Sequence, residues 1–366
     1  IVQELLKDRP SQFMSMSGGG INNTELVAAL ISTGRDIVDG IRIAQAKVEG
    51  SVTILVLTRD GLYAARDKYG RTPLIIGHKD GAYCAASESF AFINIGYKYK
   101  RELGPAEIAF LTPDEDKTVG EPQEGMRICA FLWTYFGYTT SIYEGRNVEQ
   151  MRNRNGELLA EQDDDLDVDY VAGVPDSGTA HALGYANRSR VPYARPLIKY
   201  TPTWPRSFMP QNQKARNLIA KMKLVPVFPI IKDKKFVLID DSIVRGTQLS
   251  ETISYLIENG AKEIHVRSAC PPIMYGCKYL NFSRSVSDLE LITRRVIKKL
   301  EGIEGDEIPA DILAQYAASD TEKHEAMVED IRKILKFDSL KFQKLEDTVE
   351  AIGVYRCNLC TYCWDG

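Results

Sequence analysis

The chain has 366 residues, a net charge of −4 and an ordinary charged fraction of 26%, so it is long enough for one large core or two moderate ones. The slightly negative charge shows no nucleic-acid footprint. No apolar run reaches transmembrane length and no signal peptide is present, which favours a cytoplasmic protein without a membrane-bound part. Because the chain opens at Ile1 inside an amphipathic stretch, we expect its true N-terminus to lie upstream.

Residues 1–126 alternate short apolar segments with turns, the pattern of an α+β domain with a mainly antiparallel sheet. Strands are predicted at Ser51–Thr58, Gly61–Ala65 and Leu74–Gly77. Residues 127–160 then read as a connecting segment. We therefore expect the first 126 residues to form a separate domain.

From residue 161 strands and helices alternate, which predicts an α/β domain with a doubly wound parallel sheet. An acidic run, Glu161 to Asp169, is interpreted as a solvated lead-in to a strand at Tyr170–Val174. The next residues, Asp176, Ser177 and Gly178, precede a predicted helix near Thr179–Asn187. Small residues and hydroxyls at a helix start suit a phosphate group, although taken alone they equally suit an ordinary turn.

The segment Trp204–Pro210 combines prolines, an aromatic ring and Arg206 between two regular units. Such a composition indicates a mobile loop, and the alternative is an ordinary surface loop. Arg206 is the candidate in this segment for contact with an anionic group.

The most informative segment follows an apolar run, Phe236–Ile239, which reads as a buried parallel strand. Asp240 and Asp241 come at its carboxyl end, where open α/β sheets bind ligands. The next residues offer backbone N–H groups and hydroxyls to an anion, and the helix after them adds its positive end. The candidate binding residues of this loop are Ser242, Val244, Arg245, Gly246 and Thr247.

A helix after this loop is well marked. Thr247 is the predicted N-cap and Asn259-Gly260 the stop. Its predicted buried face comprises Leu249, Ile253, Leu256 and Ile257. A strand at Ala261–Ala269 would close a βαβ unit. The whole arrangement indicates a site for a phosphorylated sugar rather than a solvated acidic pair beside a tight turn.

Cysteines form the second signal. Cys357, Cys360 and Cys363 are spaced as C-x-x-C near the C-terminus. Without a secretory signal this spacing favours metal binding over a disulfide, and no βαβ context supports thioredoxin-like chemistry. Four thiolates suit an iron–sulfur cluster and equally suit tetrahedral Zn²⁺.

The stretch Ile239–Thr247 resembles the phosphoribosyl-diphosphate (PRPP) signature of type I phosphoribosyltransferases, in the wording of the amidophosphoribosyltransferase family. The resemblance implies that Asp240 and Asp241 hold the ribose hydroxyls with Mg²⁺, and that the loop holds the 5′-phosphate. It also implies that Asp176–Gly178 is the diphosphate loop, with Ser177 beside the metal-bound substrate, and that Arg206 lies on a lid that closes over PRPP.

Three N-terminal segments, Asn23–Val27, Ala65–Leu74 and Ala85–Ser89, resemble the later half of the family's glutaminase domain, an N-terminal-nucleophile hydrolase. The family's nucleophilic cysteine is absent, since the first cysteine here is Cys84. Asn23 stands where the family usually has an aspartate that holds the amino group of glutamine. We therefore expect this chain to lack glutaminase activity.

Some family members carry a [4Fe–4S] cluster on four scattered cysteines. The resemblance implies that Cys129, Cys277, Cys357 and Cys360 are its ligands here, with Cys363 as an alternative and Zn²⁺ as the other occupant. The cluster would be structural and would staple the C-terminal tail to both domains.

The predicted phosphoribosyltransferase domain spans residues 161–300. A helical tail with the cysteine motif follows at 301–366, including an insertion around 302–325. The implied reaction joins glutamine-derived ammonia to PRPP at the start of purine synthesis. The resemblance also implies a homo-oligomer, commonly a tetramer, inhibited by purine nucleotides. The alternatives are a base-salvage phosphoribosyltransferase and a PRPP-binding regulator.

Overall fold

The computed structural model describes residues 16–17, 20–163, 166–199, 224–280, 288–305 and 307–366. Within this part of the chain no helix combines the length and apolar character that crossing a bilayer requires. An antiparallel region comes first, and a parallel sheet with helices follows it.

The N-terminal region consists of helices and antiparallel strands. In chain order these are β1 (Met16–Ser17), β2 (Gly20–Ile21), α1 (Asn23–Ile31), α2 (Ile37–Lys47), β3 (Ile54–Leu57), β4 (Leu62–Ala65), β5 (Ile75–Lys79), β6 (Ala82–Ala86), α3 (Phe90–Asn94), β7 (Lys98–Glu102), β8 (Ile108–Leu111) and β9 (Asp116–Gly120). One sheet has the order β3-β4-β8-β9 and another β6-β5-β7. The three strands predicted from the sequence are confirmed; β3 and β4 are shorter than predicted, whereas β5 begins one residue later and extends to Lys79.

Successive side chains of β4 face two different hydrophobic cores. Ala65 packs with Ile108 in the cluster formed with α1 and α2. Its neighbour Ala64 faces the other way and packs with Leu74 and Ile76, the latter from β5 of the second sheet. Since successive strand residues point to opposite faces, the region is layered as helices, sheet and second sheet.

The connecting segment holds β10 (Ile128–Cys129), a π-helical turn (Leu132–Phe136), the β11–β12 hairpin (Ile142–Tyr143 and Arg146–Asn147) and α4 (Val148–Ala160). Arg152 on α4 is buried and donates hydrogen bonds to the carbonyls of Trp133, Tyr135 and Gly137 at 2.8–2.9 Å. One guanidinium thus satisfies the carbonyl groups at the end of the π-helical turn and ties that turn to α4.

A parallel sheet with the order β13-β16-β17-β18 organises the rest of the chain. The strands of this region are β13 (Tyr170–Gly173), β14 (Leu197–Lys199), β15 (Leu224–Pro226), β16 (Lys235–Asp240), β17 (Glu263–Ser268), β18 (Ser339–Phe342) and β19 (Leu359–Cys360). The helices are α5 (Thr179–Ser189), α6 (Phe228–Ile231), α7 (Thr247–Glu258), α8 (Ile292–Glu301), α9 (Ala310–Ala317), α10 (Glu322–Leu335), α11 (Leu345–Ile352) and α12 (Tyr362–Asp365).

Helices cover both faces of this sheet, so the predicted doubly wound arrangement is confirmed. Leu238 faces a cluster with α7, α8 and α10, whereas Ile239 faces α4 and α5. Of the apolar face predicted for α7, Leu249, Ile253 and Leu256 are buried, but Ile257 is 47% exposed. It lies near the end of α7, where the helix stops at Asn259.

The core around the parallel sheet extends beyond residue 300, where the predicted domain ends. The sheet takes its fourth strand from Ser339–Phe342, beyond the boundary expected at residue 300, and Leu340 pairs with Val266. The stretch read as an insertion contains α9, whose Leu313 and Tyr316 are buried in the same core as the sheet. A four-residue strand inside a helical tail carries too weak a periodicity to be found from sequence.

Candidate active site

Two loops leave neighbouring strands at the same edge of the parallel sheet. β13 ends at Gly173 and pairs in parallel with β16, which ends at Asp240. Parallel neighbours present their carboxyl ends together, so the loops that follow them meet. The hydroxyl of Ser177 donates a hydrogen bond to Oδ1 of Asp240 at 2.9 Å across 63 sequence positions. The two motifs found in the sequence therefore form one site.

The first loop, residues 174–178, folds back against the neighbouring strand. The N–H group of Val174 donates to the carbonyl of Ile239 at 2.9 Å. The peptide bond before Asp176 is cis. The Asp176 side chain is exposed, and its carboxylate pairs with Lys199 at 2.7 Å. Of the predicted residues in this loop, Ser177 contacts the acidic pair, whereas Asp176 faces solvent.

The acidic pair is held by short contacts. Oδ1 of Asp240 accepts the backbone N–H of Asp241 at 2.9 Å, and the Ser242 hydroxyl donates to Oδ2 of Asp241 at 2.6 Å. Burial raises the pKa of both carboxyl groups, and the charge of Asp241 raises the pKa of Asp240 further. The Ser242 hydrogen bond and the more distant charge of Arg152 act in the opposite direction on the pKa of Asp241. Two crowded carboxylates of this kind favour a bound hard cation such as Mg²⁺.

The second loop leads into α7 through a left-handed residue. Gly246 has φ 77° and is the N-cap, so α7 begins at Thr247. The prediction of Thr247 as N-cap is wrong by one position, because the positive φ of glycine turns the chain into the helix without a side-chain cap. Among the described residues, none accepts a hydrogen bond from the backbone N–H groups of residues 242–247. Unpaired backbone N–H groups at the start of a helix are an arrangement suited to binding an anion.

Residues far along the chain support the outer side of this loop, and they could not be predicted from the sequence. The carbonyl of Val244 accepts the N–H of Ile292 at 2.9 Å, and the carbonyl of Arg245 accepts Nη2 of Arg295 at 2.9 Å. The Arg245 guanidinium pairs with Glu290. The supporting residues lie 45–50 positions downstream, at and before the start of α8, without any recognisable motif. The loop carbonyls are thus held on one side, which leaves the N–H groups for a ligand.

The position of one predicted residue is not described, and another lies outside this site. Arg206 falls within residues 200–223, outside the described part of the chain. Asn23 is the exposed first residue of α1, and the side chain of Asn22 caps that helix by accepting the N–H of Thr24 at 2.8 Å.

Four cysteines line one cavity between the N-terminal region and the C-terminal tail. They are Cys129, Cys277, Cys360 and Cys363, and Arg71, Phe131 and Trp364 line it with them. The parallel pair β10–β19 places Cys129 opposite Cys360, and the carbonyl of Cys363 accepts the N–H of Met274 at 2.8 Å. Three distant segments therefore meet at this cavity.

Cys357 does not line this cavity. Its side chain is exposed, and its Sγ lies 3.7 Å from Oδ1 of Asn358. Of the four predicted ligands, Cys129, Cys277 and Cys360 line the cavity, and Cys363, the predicted alternative, lines it with them. Cys357 lies in a short 3₁₀ turn at Arg356–Asn358, before β19, whereas Cys363 lies at the start of α12, after β19, where it lines the cavity.

The thiols influence one another. A hydrogen bond from Cys363 lowers the pKa of the Cys277 thiol and raises the pKa of Cys363 itself, while burial raises the pKa of Cys129 and Cys360. Within the described residues, no three His, Cys, Asp or Glu side chains are closed around a point as a bound metal requires. The donor set nonetheless fits a soft metal centre, because four thiols from three segments, Cys129 buried and the other three half-buried, share one cavity.

A buried polar network lies behind the first loop. His181 on α5 is fully buried, with Nε2 3.2 Å from the carbonyl of Thr134 and Nδ1 3.2 Å from Nδ2 of Asn155. Burial lowers the pKa of His181 to about 3. Both ring nitrogens are engaged with groups of the protein, so His181 has a structural role here.

Fold and site together define an α/β protein of the phosphoribosyltransferase class, joined to an antiparallel α+β region. No protein-family model matches the chain. An amidophosphoribosyltransferase of Methanothermobacter thermautotrophicus is 32% identical over 370 residues, covering 100% of this chain and 70% of the relative. A chloroplastic amidophosphoribosyltransferase of Glycine max is 34% identical over 351 residues, covering 94% of this chain and 55% of the relative. This chain thus spans little more than half of the soybean protein.

A solved structure agrees with these relatives. Glutamine PRPP amidotransferase from B. subtilis, complexed with ADP and GMP, is 30% identical with a TM-score of 0.80, covering 99% of this chain and 73% of that one. The chain belongs to the amidophosphoribosyltransferase family.

Proposed function

We propose that the protein containing this chain transfers glutamine-derived ammonia to PRPP, giving 5-phosphoribosylamine, glutamate and diphosphate, the first step of purine nucleotide synthesis. The observation that carries the proposal is the contact between Ser177 and Asp240, which joins a diphosphate loop to a pentose-binding acidic pair. Family membership supports the same reaction.

Each part of the site is proposed to bind one part of PRPP. Asp240 and Asp241 accept hydrogen bonds from the ribose hydroxyls. The N–H groups of residues 242–247 bind the 5′-phosphate at the start of α7. Ser177 and Gly178 lie on the diphosphate side, and Arg206 is the proposed lid contact. Mg²⁺, when bound near Ser177, Asp240 and Asp241, would neutralise charge on the departing diphosphate.

The chain's own groups need only bind PRPP and ammonia and orient them for reaction. Diphosphate leaves from the anomeric carbon through an oxocarbenium-like transition state, and ammonia takes its place. Backbone donors of the two loops stabilise charge on the phosphoryl groups. No side-chain nucleophile is needed for this step, and a closed lid would keep water from competing with ammonia.

For the N-terminal region we propose a partial N-terminal-nucleophile hydrolase fold. The layering of helices, first sheet and second sheet seen in the described residues supports this proposal. The sequence contains no cysteine before Cys84, which lies within β6. We therefore propose that this chain uses free ammonia and does not hydrolyse glutamine. Asn23, exposed at the start of α1, is the residue to test for glutamine binding in a longer protein.

We further propose a [4Fe–4S] cluster on Cys129, Cys277, Cys360 and Cys363, with Zn²⁺ as the alternative occupant. Support comes from the shared cavity and from its position between three chain segments. The cluster would be structural, holding the C-terminal tail against the N-terminal region. Four thiolates would also make stability sensitive to oxygen.

We propose inhibition by purine nucleotides, which is supported by the B. subtilis protein having been solved with ADP and GMP. We propose a homo-oligomer on the resemblance to the family alone. A cytoplasmic location stays a prediction.

The function is tested by supplying PRPP, Mg²⁺ and either ammonium or glutamine to the 366-residue chain and measuring phosphoribosylamine. We expect product with ammonium and none with glutamine. Asp241→Asn should lose activity with ammonium, whereas Asp114→Asn, an exposed acid far from the site in sequence, serves as the control. PRPP binding without product would instead favour a PRPP-binding regulator.

A further inference from the structure

Arg71 is a buried cation on the wall of the cysteine cavity. Its side chain belongs to the N-terminal region, and the residue is 7% exposed. The guanidinium lies over two aromatic rings, 4.6 Å from the centroid of Tyr69 and 4.0 Å from that of Tyr279. Both contacts are cation–π interactions that fix the plane of the group. Arg71 is the one cationic side chain among the described residues that line the cavity.

One donor of this guanidinium is satisfied and another is not. Nη1 of Arg71 donates to the carbonyl of Glu49 at 3.1 Å. Nε is buried and has no hydrogen-bond partner among the described residues. A buried donor without an acceptor costs about 1–3 kcal/mol. The unpaired Nε of Arg71 therefore indicates that a bound ligand supplies its acceptor.

The backbone of Arg71 fixes this side chain relative to the thiols. Its carbonyl accepts the N–H of Cys129 at 3.0 Å, and its own N–H donates to Oδ1 of Asp67 at 3.1 Å. Cys129 in turn pairs with Cys360 across β10 and β19. The guanidinium and two of the four thiols are therefore held in one hydrogen-bonded frame.

Charge explains why a cation belongs here. Four thiolates around either Zn²⁺ or a [4Fe–4S]²⁺ core leave a net charge of about −2, which is costly to bury without compensation. The surrounding cluster is apolar and includes Ile128, Leu132 and Trp364. A second cation, Lys278, stacks on Tyr362 at 4.4 Å but is exposed to solvent.

We propose that Arg71 is the positioning residue of this metal centre: it offsets the centre's negative charge and donates a hydrogen bond from Nε to a thiolate sulfur. This inference rests on the proposed four-cysteine centre. Hydrogen bonds and positive charge near thiolates stabilise the metal–sulfur bonds and the reduced form of a cluster. Arg71 would thereby make metal retention depend on the N-terminal region.

The test compares wild type, Arg71→Gln, Arg71→Lys and Lys278→Gln, each as the 366-residue chain purified without oxygen. Metal and sulfide are measured per chain, followed by the rate of metal release to bathophenanthroline for iron or pyridylazoresorcinol for zinc. We expect Arg71→Gln to release metal about 10–100-fold faster, and Arg71→Lys to fall between it and wild type. Lys278→Gln should match wild type, because water screens its charge.

For an iron-containing chain the reduction potential is a second readout that a merely structural role would not move. Arg71→Gln should be harder to reduce by at least tenfold in equilibrium constant, which is about 59 mV for a one-electron couple. Equal release rates and potentials in wild type and both Arg71 variants would overturn the role of Arg71 alone. A wild-type chain without any metal would overturn the centre and this inference together. If Arg71→Gln does not fold, Arg71→Lys decides, since unchanged release would contradict the Nε hydrogen bond.

Discussion

A β-carbon added to Gly178 would lie 2.0 Å from the carbonyl oxygen of Ile239. The first loop is therefore packed directly on the strand that delivers the acidic pair, with no room for a side chain between them. We expect Gly178→Ala to lower the free energy of unfolding by about 1–3 kcal/mol and to weaken PRPP binding, because Ser177 moves away from Asp240. Thermal unfolding and PRPP titration would measure both effects.

The matched control for that substitution is Gly305→Ala. No described atom lies within 4 Å of a β-carbon at this exposed position. Its stability and PRPP affinity should match wild type. A Gly178→Ala chain that equals Gly305→Ala in both measurements would show that the two loops are not tightly coupled.

Asp240→Asn should stabilise the ligand-free fold at neutral pH while removing PRPP binding. The raised pKa of Asp240 means that the folded chain holds its proton more tightly than the unfolded chain does. Stability is thus lost as pH rises from the ordinary aspartate pKa of about 3.9 through the raised value. Asparagine has no such loss, so the difference in Tm between variant and wild type should grow from pH 4 to pH 7.

That prediction is checked by thermal unfolding across this pH range without Mg²⁺. Asp114→Asn, where the side chain is exposed, should follow the wild-type profile. Parallel pH profiles for Asp240→Asn and wild type would contradict the raised pKa of Asp240.

His181 should make the fold sensitive to acid. Its pKa is lowered to about 3 in the folded chain, against about 6.5 for an ordinary histidine. The unfolded chain therefore takes up a proton first, and stability present above pH 6.5 is lost toward pH 3, at about 1.4 kcal/mol per pH unit. His181→Gln should be less stable at pH 7 but should show a flatter loss on acidification. Urea unfolding at several pH values measures this slope, with His78→Gln as the control; an unchanged slope in His181→Gln would refute the assignment.

Substituting Cys357 and substituting Cys363, the outer cysteines of the two overlapping C-x-x-C pairs, should have opposite effects on metal content. Cys363→Ser should lose the metal and the anaerobic absorption of a cluster, because this thiol lines the cavity. Cys357→Ser should keep both, since Cys357 is exposed. Iron, zinc and sulfide analysis of both variants decides the ligand set. Loss of metal in Cys357→Ser alone would restore the set expected from sequence.

The parts of the site that sequence predicted are those encoded by consecutive residues. Apolar strand, acidic pair, glycine turn and helix follow one another from Phe236 to Glu258, and the structure keeps that order. Local periodicity and turn chemistry suffice for such a segment.

What sequence could not predict depends on contacts between distant segments. Asp163 belongs to an acidic run that reads as solvated, yet it is buried between Arg267 and Lys341, 2.6 Å and 2.8 Å away. The choice of Cys363 over Cys357 depends on how β19 pairs with β10. The local sequence pattern predicts neither of these contacts, because strand register and side-chain burial depend on the folded chain as a whole.

The most direct test of the account is a crystal structure of this chain with PRPP and Mg²⁺ at saturating concentrations. We predict the ribose hydroxyls on Asp240 and Asp241, the 5′-phosphate on the N–H groups of residues 242–247, and the diphosphate beside Ser177. A crevice that stays empty, or PRPP bound away from these two loops, would contradict it.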